Sequence, residues 1–205
     1  MTIQHLNIPD AQIHQARGAA TASAGQILTA TGVGTATFVT PPYSIGKSGI
    51  WDYQDVTTQT TPIAITLANT EYQLTNDGAG VNSSTTYKLP GVDNVWNTTT
   101  NYFDFTDLSL GDSVDIRVTV QVTTGSVNNS ISLVLEPGIG STPYKLYSNE
   151  IFYKTAGVHE VSMHFSLYIG NALTRDNPAK LSIRNTDTGS TVKVTGWYVR
   201  AIKNG

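Results

Sequence analysis

The sequence predicts an all-β fold, and three features of its 205 residues indicate this. Threonine, valine and isoleucine together contribute 62 residues, whereas leucine contributes 13; side chains branched at Cβ favour strands over helices. Several segments alternate apolar and polar residues with a period of two. Turn-forming residues separate these segments at the short spacing that is typical of an antiparallel β-sandwich or barrel.

Charged residues are scarce in this chain, and this scarcity argues against several classes of partner. They make up 13% of the sequence, with a net charge of −3, whereas an ordinary domain has about 25%. Such a surface does not attract polyanions, so we expect no nucleic-acid partner. No apolar run approaches the about 18 residues that cross a membrane, so we expect no membrane insertion. The N-terminus also lacks the apolar stretch of a secretory signal.

Residues 1–24 contain too few apolar residues to form a core of their own. Their isolated apolar side chains are those of Ile3, Leu6, Ile8 and Ile13. A segment of this composition gains order by lying against a partner. We therefore interpret residues 1–24 as an extended arm.

Residues 25–49 predict a β-hairpin followed by a linker. Residues 27–31 and 35–40 are strand-like, and Gly32-Val33-Gly34 forms the loop between them. Two consecutive prolines, Pro41 and Pro42, end the second strand, because proline cannot donate to a ladder. An isolated hairpin is marginal in water, so this one is expected to pack on a larger body or on other chains.

Residues 50–205 predict a β-sandwich or barrel of eight to ten short strands. The clearest strand is DSVDIRVTVQVTT, where five apolar side chains face one side: Val114, Ile116, Val118, Val120 and Val122. Other clear strands are SISLVLEP, VHEVSMHFSLYIG, AKLSIRN and TVKVTGWYVRAI, and weaker ones are PIAITLA, EYQLTN, TTYKLP, NYFDF and NEIFYK. Gly196 interrupts the last strand and predicts a bulge. Residues 91–111 form a long connection for a compact sandwich.

The segment from His159 to His164 contains groups that hydrolases and metal sites use. In a strand, however, residues an odd number apart point to opposite faces, so these two histidines diverge. Glu160, Ser162 and His164 share the face opposite the apolar row. We interpret this row as an exposed polar sheet face and expect no catalytic or metal site there.

Four aspartates lie close together in the segment DFTDLSLGDSVD: Asp104, Asp107, Asp112 and Asp115. Carboxylates at such spacing can bind calcium, and paired carboxylates can hydrolyse glycosides. Asp107 and Asp112 also suit turns. The sequence leaves calcium binding, glycoside hydrolysis and turn formation open for these aspartates. For the chain as a whole, we expect neither an enzyme nor a cofactor.

The N-terminal segment NIPDAQIHQARGAATASAGQILTATGVGTATFV resembles the opening segment of small virion proteins of tailed bacteriophages. The body also resembles the jelly-roll domains of phage head-decoration and head-fibre proteins, which are often trimers similar in shape to the tumour-necrosis-factor fold. The pieces that carry this resemblance are TTPIAITLANTEYQLTNDGAG, TTYKLPGV, FDFTDLSLGDSVDIRVTV, NPAKLSIRN and VTGWYVRAI.

The resemblance implies a homotrimeric antiparallel jelly roll (50–205) that decorates, cements or forms a fibre on a phage head. The arm would bind the major capsid protein or another virion protein, on the outer capsid surface of virions assembled in the host cytoplasm. The implied capsid-anchoring residues are Ile3, Leu6, Ile8, Pro9 and Ile13. The implied trimer-interface residues are Trp197, Tyr198 and Val199.

An alternative function is a tail-fibre tip or adhesin that binds host-surface glycans. Aromatic rings stack against sugars as well as against core neighbours. In this alternative, Trp96 and Tyr102 would provide the stacking surface.

Overall fold

The computed structural model describes residues 23–24, 26–32, 35–39, 47–78 and 87–204. The chain divides into two compact units, residues 1–44 and residues 45–205. In the first unit, β1 (Ile27–Gly32) pairs antiparallel with β2 (Thr35–Val39), as the sequence predicted. The second unit, here called the body, contains the other strands described below.

The described part of the body consists of two antiparallel sheets and two short helices. The β8 sheet contains β3 (Lys47–Tyr53), β4 (Ile63–Ile65), β8 (Ser113–Thr124), β12 (Gly157–Tyr168) and β14 (Ser190–Lys203). The β9 sheet contains β5 (Glu71–Gln73), β6 (Trp96–Asn97), β7 (Tyr102–Phe103), β9 (Asn129–Pro137), β10 (Leu146–Tyr147), β11 (Ile151–Tyr153) and β13 (Ala179–Asn185). The helices are α1 (Thr57–Thr60) and α2 (Ala172–Asp176).

The strand order is that of a jelly roll. In the β8 sheet the order is β12-β8-β14-β3, and β4 also pairs with β14. In the β9 sheet the order is β10-β9-β13-β7-β6, with β11 on β9 and β5 on β13. From β8 onward the chain passes repeatedly from one sheet to the other, which closes a two-layer sandwich. The predicted all-β jelly-roll class is therefore confirmed.

The core lies between the two sheets and follows the predicted alternation. The five apolar residues of β8 are all fully buried, and they meet Ile131, Leu133, Leu135, Leu181 and Ile183 of the other sheet. Burying each such side chain contributes about 1.5–3 kcal/mol. An aromatic cluster forms part of this core, in which the ring centroid of Trp96 lies 4.8 Å from that of Phe103 and 4.5 Å from that of Trp197.

The edge strand beside β14 is interrupted, and α1 fills the gap between β3 and β4. The predicted bulge occurs here, since the register of β14 shifts between Val194 and Gly196. The backbone N–H of Val194 donates to Oγ1 of Thr58 at 2.7 Å. The backbone N–H of Thr58 in turn donates to the buried carboxylate of Asp55 at 3.2 Å. These bonds replace ladder bonds that the missing strand would have made.

Three local features differ from the sequence prediction. Residues 47–49, predicted as linker, belong to β3; Gly49 permits this, because a Cβ there would lie 2.2 Å from the backbone nitrogen of Leu89. Helices α1 and α2 were not predicted, and residues 87–90 of the segment TTYKLP form no strand. Among the described residues, no helix is long and apolar enough to cross a membrane.

Candidate functional site

The predicted capsid-anchoring residues lie outside the residues that the structure describes. They are Ile3, Leu6, Ile8, Pro9 and Ile13. Their role therefore stays a prediction from the sequence.

The three predicted trimer-interface residues do not share one face of β14. Trp197 is 1% exposed and Val199 is 0% exposed, and both pack in the core of their own body. Successive residues of a strand point to opposite sides, so Tyr198 alone of the three lies on the outer face. The guanidinium of Arg117 lies 5.0 Å from the centre of its ring. This corrects the prediction for Trp197 and Val199, whose side chains are not accessible to a neighbouring subunit in this conformation.

The outer face of the β8 sheet carries mostly polar side chains, beside the aromatic rings of Tyr168 and Tyr198. The hydroxyl of Ser166 donates to Asp115 at 2.6 Å, and the amide of Gln121 donates to Glu160 at 2.6 Å. A subunit contact on this face would therefore be made largely through hydrogen bonds and charges.

The histidines of β12 diverge, as predicted. His164 is exposed on the outer face, in register with Arg117. The ring of His159 stacks on that of Tyr153 with centroids 4.0 Å apart, and its Nε2 lies 3.2 Å from the carbonyl oxygen of Thr155. The imidazole rings of His159 and His164 therefore cannot act on one ligand.

The four clustered aspartates each make local hydrogen bonds. Asp104 accepts from the N–H of Thr106, Asp107 from that of Asp93, Asp112 from those of Ser109 and Asn204, and Asp115 from the hydroxyl of Ser166. The buried carboxylate of Asp112 thereby joins the C-terminal residues to the loop before β8. Across the described part of the chain, no group of three or more His, Asp or Glu side chains is placed to hold a metal.

Of the two predicted sugar-stacking residues, Trp96 is part of the core. Its side chain belongs to a residue only 5% exposed, and its Nε1–H donates to the backbone oxygen of Asn76 at 2.7 Å. This corrects the prediction for Trp96, because neither ring face is open to a ligand. Tyr102 is half-buried and lines an open cavity of about 310 Å³ with Asn97, Asp104 and Asp176.

Along with Asp104, Asp176 is one of the two carboxylates that line this cavity. The guanidinium of Arg175 donates to its carboxylate at 2.6 Å. That hydrogen bond holds the pKa of Asp176 below its usual value. The cavity around Tyr102 therefore has a carboxylate that stays ionised at neutral pH.

A second cavity of about 300 Å³ was not predicted from the sequence. It lies between Tyr144 and Tyr168, beside the start of α2. The sequence did contain one signal, since alternation along β12 places Tyr168 on the polar face, where it is 66% exposed. Tyr144 lies in a loop before β10 and shows no comparable pattern.

No family model and no curated protein matches this chain. Similar solved structures include those of the Gx and Gt strains of infectious bursal disease virus, at 10% and 11% identity, each covering 86% of this chain with a TM-score of 0.35. The chain spans only 37% and 38% of those viral chains. The Eiger TNF of S. frugiperda is 11% identical, with 80% of this chain and 94% of that chain covered and a TM-score of 0.33. These likenesses are too distant to assign a family, and the jelly-roll assignment rests on the strand order itself.

Proposed function

We propose that this chain is a structural virion protein of a tailed phage, a decoration, cement or head-fibre protein. In this proposal it forms a homotrimer, binds the capsid through residues 1–24 and displays the jelly-roll body outward. The resemblance of the N-terminal segment to phage virion proteins motivates the proposal. The division of the chain into a small N-terminal unit and a larger body supports it.

The observation that carries the proposal is the exposure of the hairpin on both of its faces. Ile27 is 50% exposed and Leu28 is 47% exposed. Because they are neighbours in β1, they point to opposite sides. Their cross-strand partners, Val39 and Phe38, are only partly buried. A two-stranded hairpin in this condition gains stability by burying both faces against other chains.

The body has an apolar core of its own between its two sheets, although side chains such as Leu67, Phe152 and Val158 are exposed on its surface. Its strands present largely uncharged hydroxyl and amide groups to solvent, in keeping with a chain in which 30 residues are threonine. Interactions of such a surface change little with ionic strength. These properties suit a module exposed on the outside of a particle.

A trimer would turn weak single contacts into stable attachment. Once one arm of a trimer is bound, the other two are held near their sites at a high effective concentration. Each arm can therefore be short and only weakly apolar. The scarcity of apolar anchors in residues 1–24 is consistent with this mode of binding.

The proposal predicts that attachment depends on the apolar residues of the arm. Deleting residues 2–24, or changing Ile3, Leu6, Ile8 and Ile13 together to serine, should abolish co-sedimentation with capsids of the encoding phage. The matched control changes Gln4, Gln12 and Gln15 of the same segment to alanine and should still co-sediment. Sedimentation equilibrium should give three times the respective chain mass for each of these proteins; the full chain has a mass of 22.0 kDa.

Continued decoration of capsids by the deleted protein would contradict arm-mediated attachment. A monomeric mass for the full chain in solution would contradict the multivalent mechanism. A variant that loses both its trimeric mass and its capsid binding would assign residues 1–24 to assembly rather than to anchoring.

A second candidate function is glycan binding, which the cavity around Tyr102 favours. The half-buried ring of Tyr102 lies beside the amide of Asn97 and the carboxylates of Asp104 and Asp176. Sugars are bound by such combinations of a ring with hydrogen-bonding groups. Loss of binding to a glycan array on changing Tyr102 to alanine would support this candidate, and absence of any array signal from the full chain would contradict it.

A further inference from the structure

We propose that the cleft between Tyr144 and Tyr168, here called the tyrosine cleft, binds a neutral saccharide of one or two sugar rings. Its walls also include Ser166, Gly170, Asn171 and Thr174. The proposal concerns binding by the isolated protein. It is therefore independent of capsid attachment.

The ring of Tyr168 is held as a platform over the backbone of Gly170. A Cβ at Gly170 would lie 2.6 Å from both Cζ and Oη of Tyr168, so the ring lies directly across the glycine. Even so, Tyr168 is 66% exposed. A glycine at this position lets the hydroxyl end of this large aromatic side chain lie close to the backbone while the residue stays exposed.

The backbone beneath this platform is fixed to the body. The N–H of Ile169 donates to the carbonyl oxygen of Asp112 at 2.7 Å, and the N–H of Gly111 donates to that of Ile169 at 2.8 Å. Ile169 itself is fully buried in the core. The backbone that carries Tyr168 and Gly170 is therefore fixed before a ligand binds, which lowers the entropic cost of binding.

The opposite wall is positioned by hydrogen bonds. The hydroxyl of Tyr144 lies 3.1 Å from the hydroxyl oxygen of Thr174, which is 2% exposed. The N–H of Thr174 donates to the side-chain oxygen of Asn171 at 2.9 Å, capping α2. Tyr144 is thus directed into the cleft while remaining 37% exposed.

The chemistry of the walls favours a neutral ligand with both apolar and hydroxyl-bearing surfaces. None of the residues that line the tyrosine cleft is charged, so the cleft offers no counter-charge for a phosphate or a carboxylate. Two aromatic rings provide apolar contact area, and the hydroxyl oxygens of Tyr144 and Ser166 and the side-chain NH2 of Asn171 provide hydrogen-bonding groups. A volume of about 300 Å³ is at the lower end for small-molecule sites. A pyranose ring, with C–H groups on its faces and hydroxyls around its rim, fits this combination.

The experiment is saturation-transfer NMR of the full chain with neutral mono- and disaccharides, including methyl glucosides, methyl galactosides and N-acetylglucosamine. We expect at least one of them to bind. Tyr168→Ala and Tyr144→Ala should each weaken its binding about tenfold or more, as loss of a stacking ring does. Tyr168→Phe keeps the ring and should bind nearly as wild type. Phe152→Ala removes an exposed aromatic side chain outside the cleft and is the matched control.

Gly170→Ala separates binding from folding. The added methyl group meets the far end of the Tyr168 side chain, which can swing aside, so thermal unfolding should change little while saccharide binding is lost. Absence of binding across the panel would overturn the proposal. Unchanged binding by Tyr168→Ala would also overturn it. Loss of binding by Tyr102→Ala alone would overturn it too, because the saccharide would then bind in the cavity around Tyr102. Binding of a proline-rich peptide in place of every saccharide would assign the cleft to a protein partner.

Discussion

The hydroxyl of Tyr53 is buried in the body and has no hydrogen-bond partner among the described residues. Burial raises its pKa to about 12, because the phenolate is disfavoured away from water. A buried hydroxyl without a partner also costs free energy of folding in its neutral form. Tyr53 therefore contributes through its ring rather than through its oxygen.

Tyr53→Phe should be at least as stable as wild type at pH 8, because it removes an unpartnered polar group. The unfolded state ionises near pH 10 and the folded state near pH 12, so the wild type loses stability as the pH rises between these values. The free-energy advantage of Tyr53→Phe should then grow by about 1.4 kcal/mol per pH unit in this range. Urea unfolding from pH 8 to 12 measures it.

The exposed residue Tyr147 provides the control for this titration. Tyr147→Phe removes the hydroxyl of an exposed tyrosine and should leave the stability at pH 8 unchanged. An advantage of Tyr53→Phe that stays constant from pH 10 to 12 would contradict a raised pKa at this position.

Single residues show where sequence patterns are informative and where they are not. Tyr168 belongs to a long alternating segment, so its exposure follows from the register of β12. Trp96 belongs to a two-residue strand, in which alternation cannot say which neighbour points inward; Val95 and Trp96 are both buried. The proximity of Tyr144 to Tyr168 depends on how the loop before β10 meets the end of β12 in space. No spacing along the chain encodes it.

At the scale of elements, long strands were predictable and the interruption of the edge strand was not. Strands β8 and β13 have apolar side chains at every second position, which fixes both their type and their face. Helix α1 is a single turn of Thr57, Thr58, Gln59 and Thr60, and threonine has no strong helical preference. It forms because Asp55 and Thr58 bond within the body, which is a tertiary effect.

Thr58→Val should destabilise the body by about 1–3 kcal/mol, because it leaves the buried N–H of Val194 without its acceptor while preserving the shape of the side chain. Thr57→Val changes the same kind of residue at an exposed position of the same helix and should alter stability by less than about 0.5 kcal/mol. Chemical denaturation of the two variants makes the comparison. Equal stability of both would show that Thr58 does not support the bulge of β14.

At the scale of the whole molecule, the described residues form a body with a two-sheet core and a two-stranded hairpin. The body needed only its alternating strands to be predicted as a sandwich, whereas its jelly-roll order came from the resemblance and is confirmed by the strand pairing. The arm stays a prediction from composition, because its proposed anchoring residues lie outside the described part of the chain. The predicted trimer contact failed for Trp197 and Val199, because alternation assigns them to the core that their own sheets enclose.

The outer face of the β8 sheet limits which contacts could hold the subunits of a trimer together. Its side chains are mostly polar and several are hydrogen-bonded, so a subunit contact on that face would not be purely apolar. The exposed apolar side chains of the hairpin are better suited to hold subunits together. In the proposed assembly, the N-terminal unit therefore provides both subunit contacts and attachment.

Attachment of this protein to the phage head through residues 1–24 can be tested most directly by electron microscopy of virions labelled with gold-conjugated antibody to residues 50–205. We expect gold at regular positions over the head surface of intact virions. We also expect that virions assembled with a chain lacking residues 2–24 carry no label. Gold confined to the tail tip, or virions of the encoding phage without any label, would contradict this attachment.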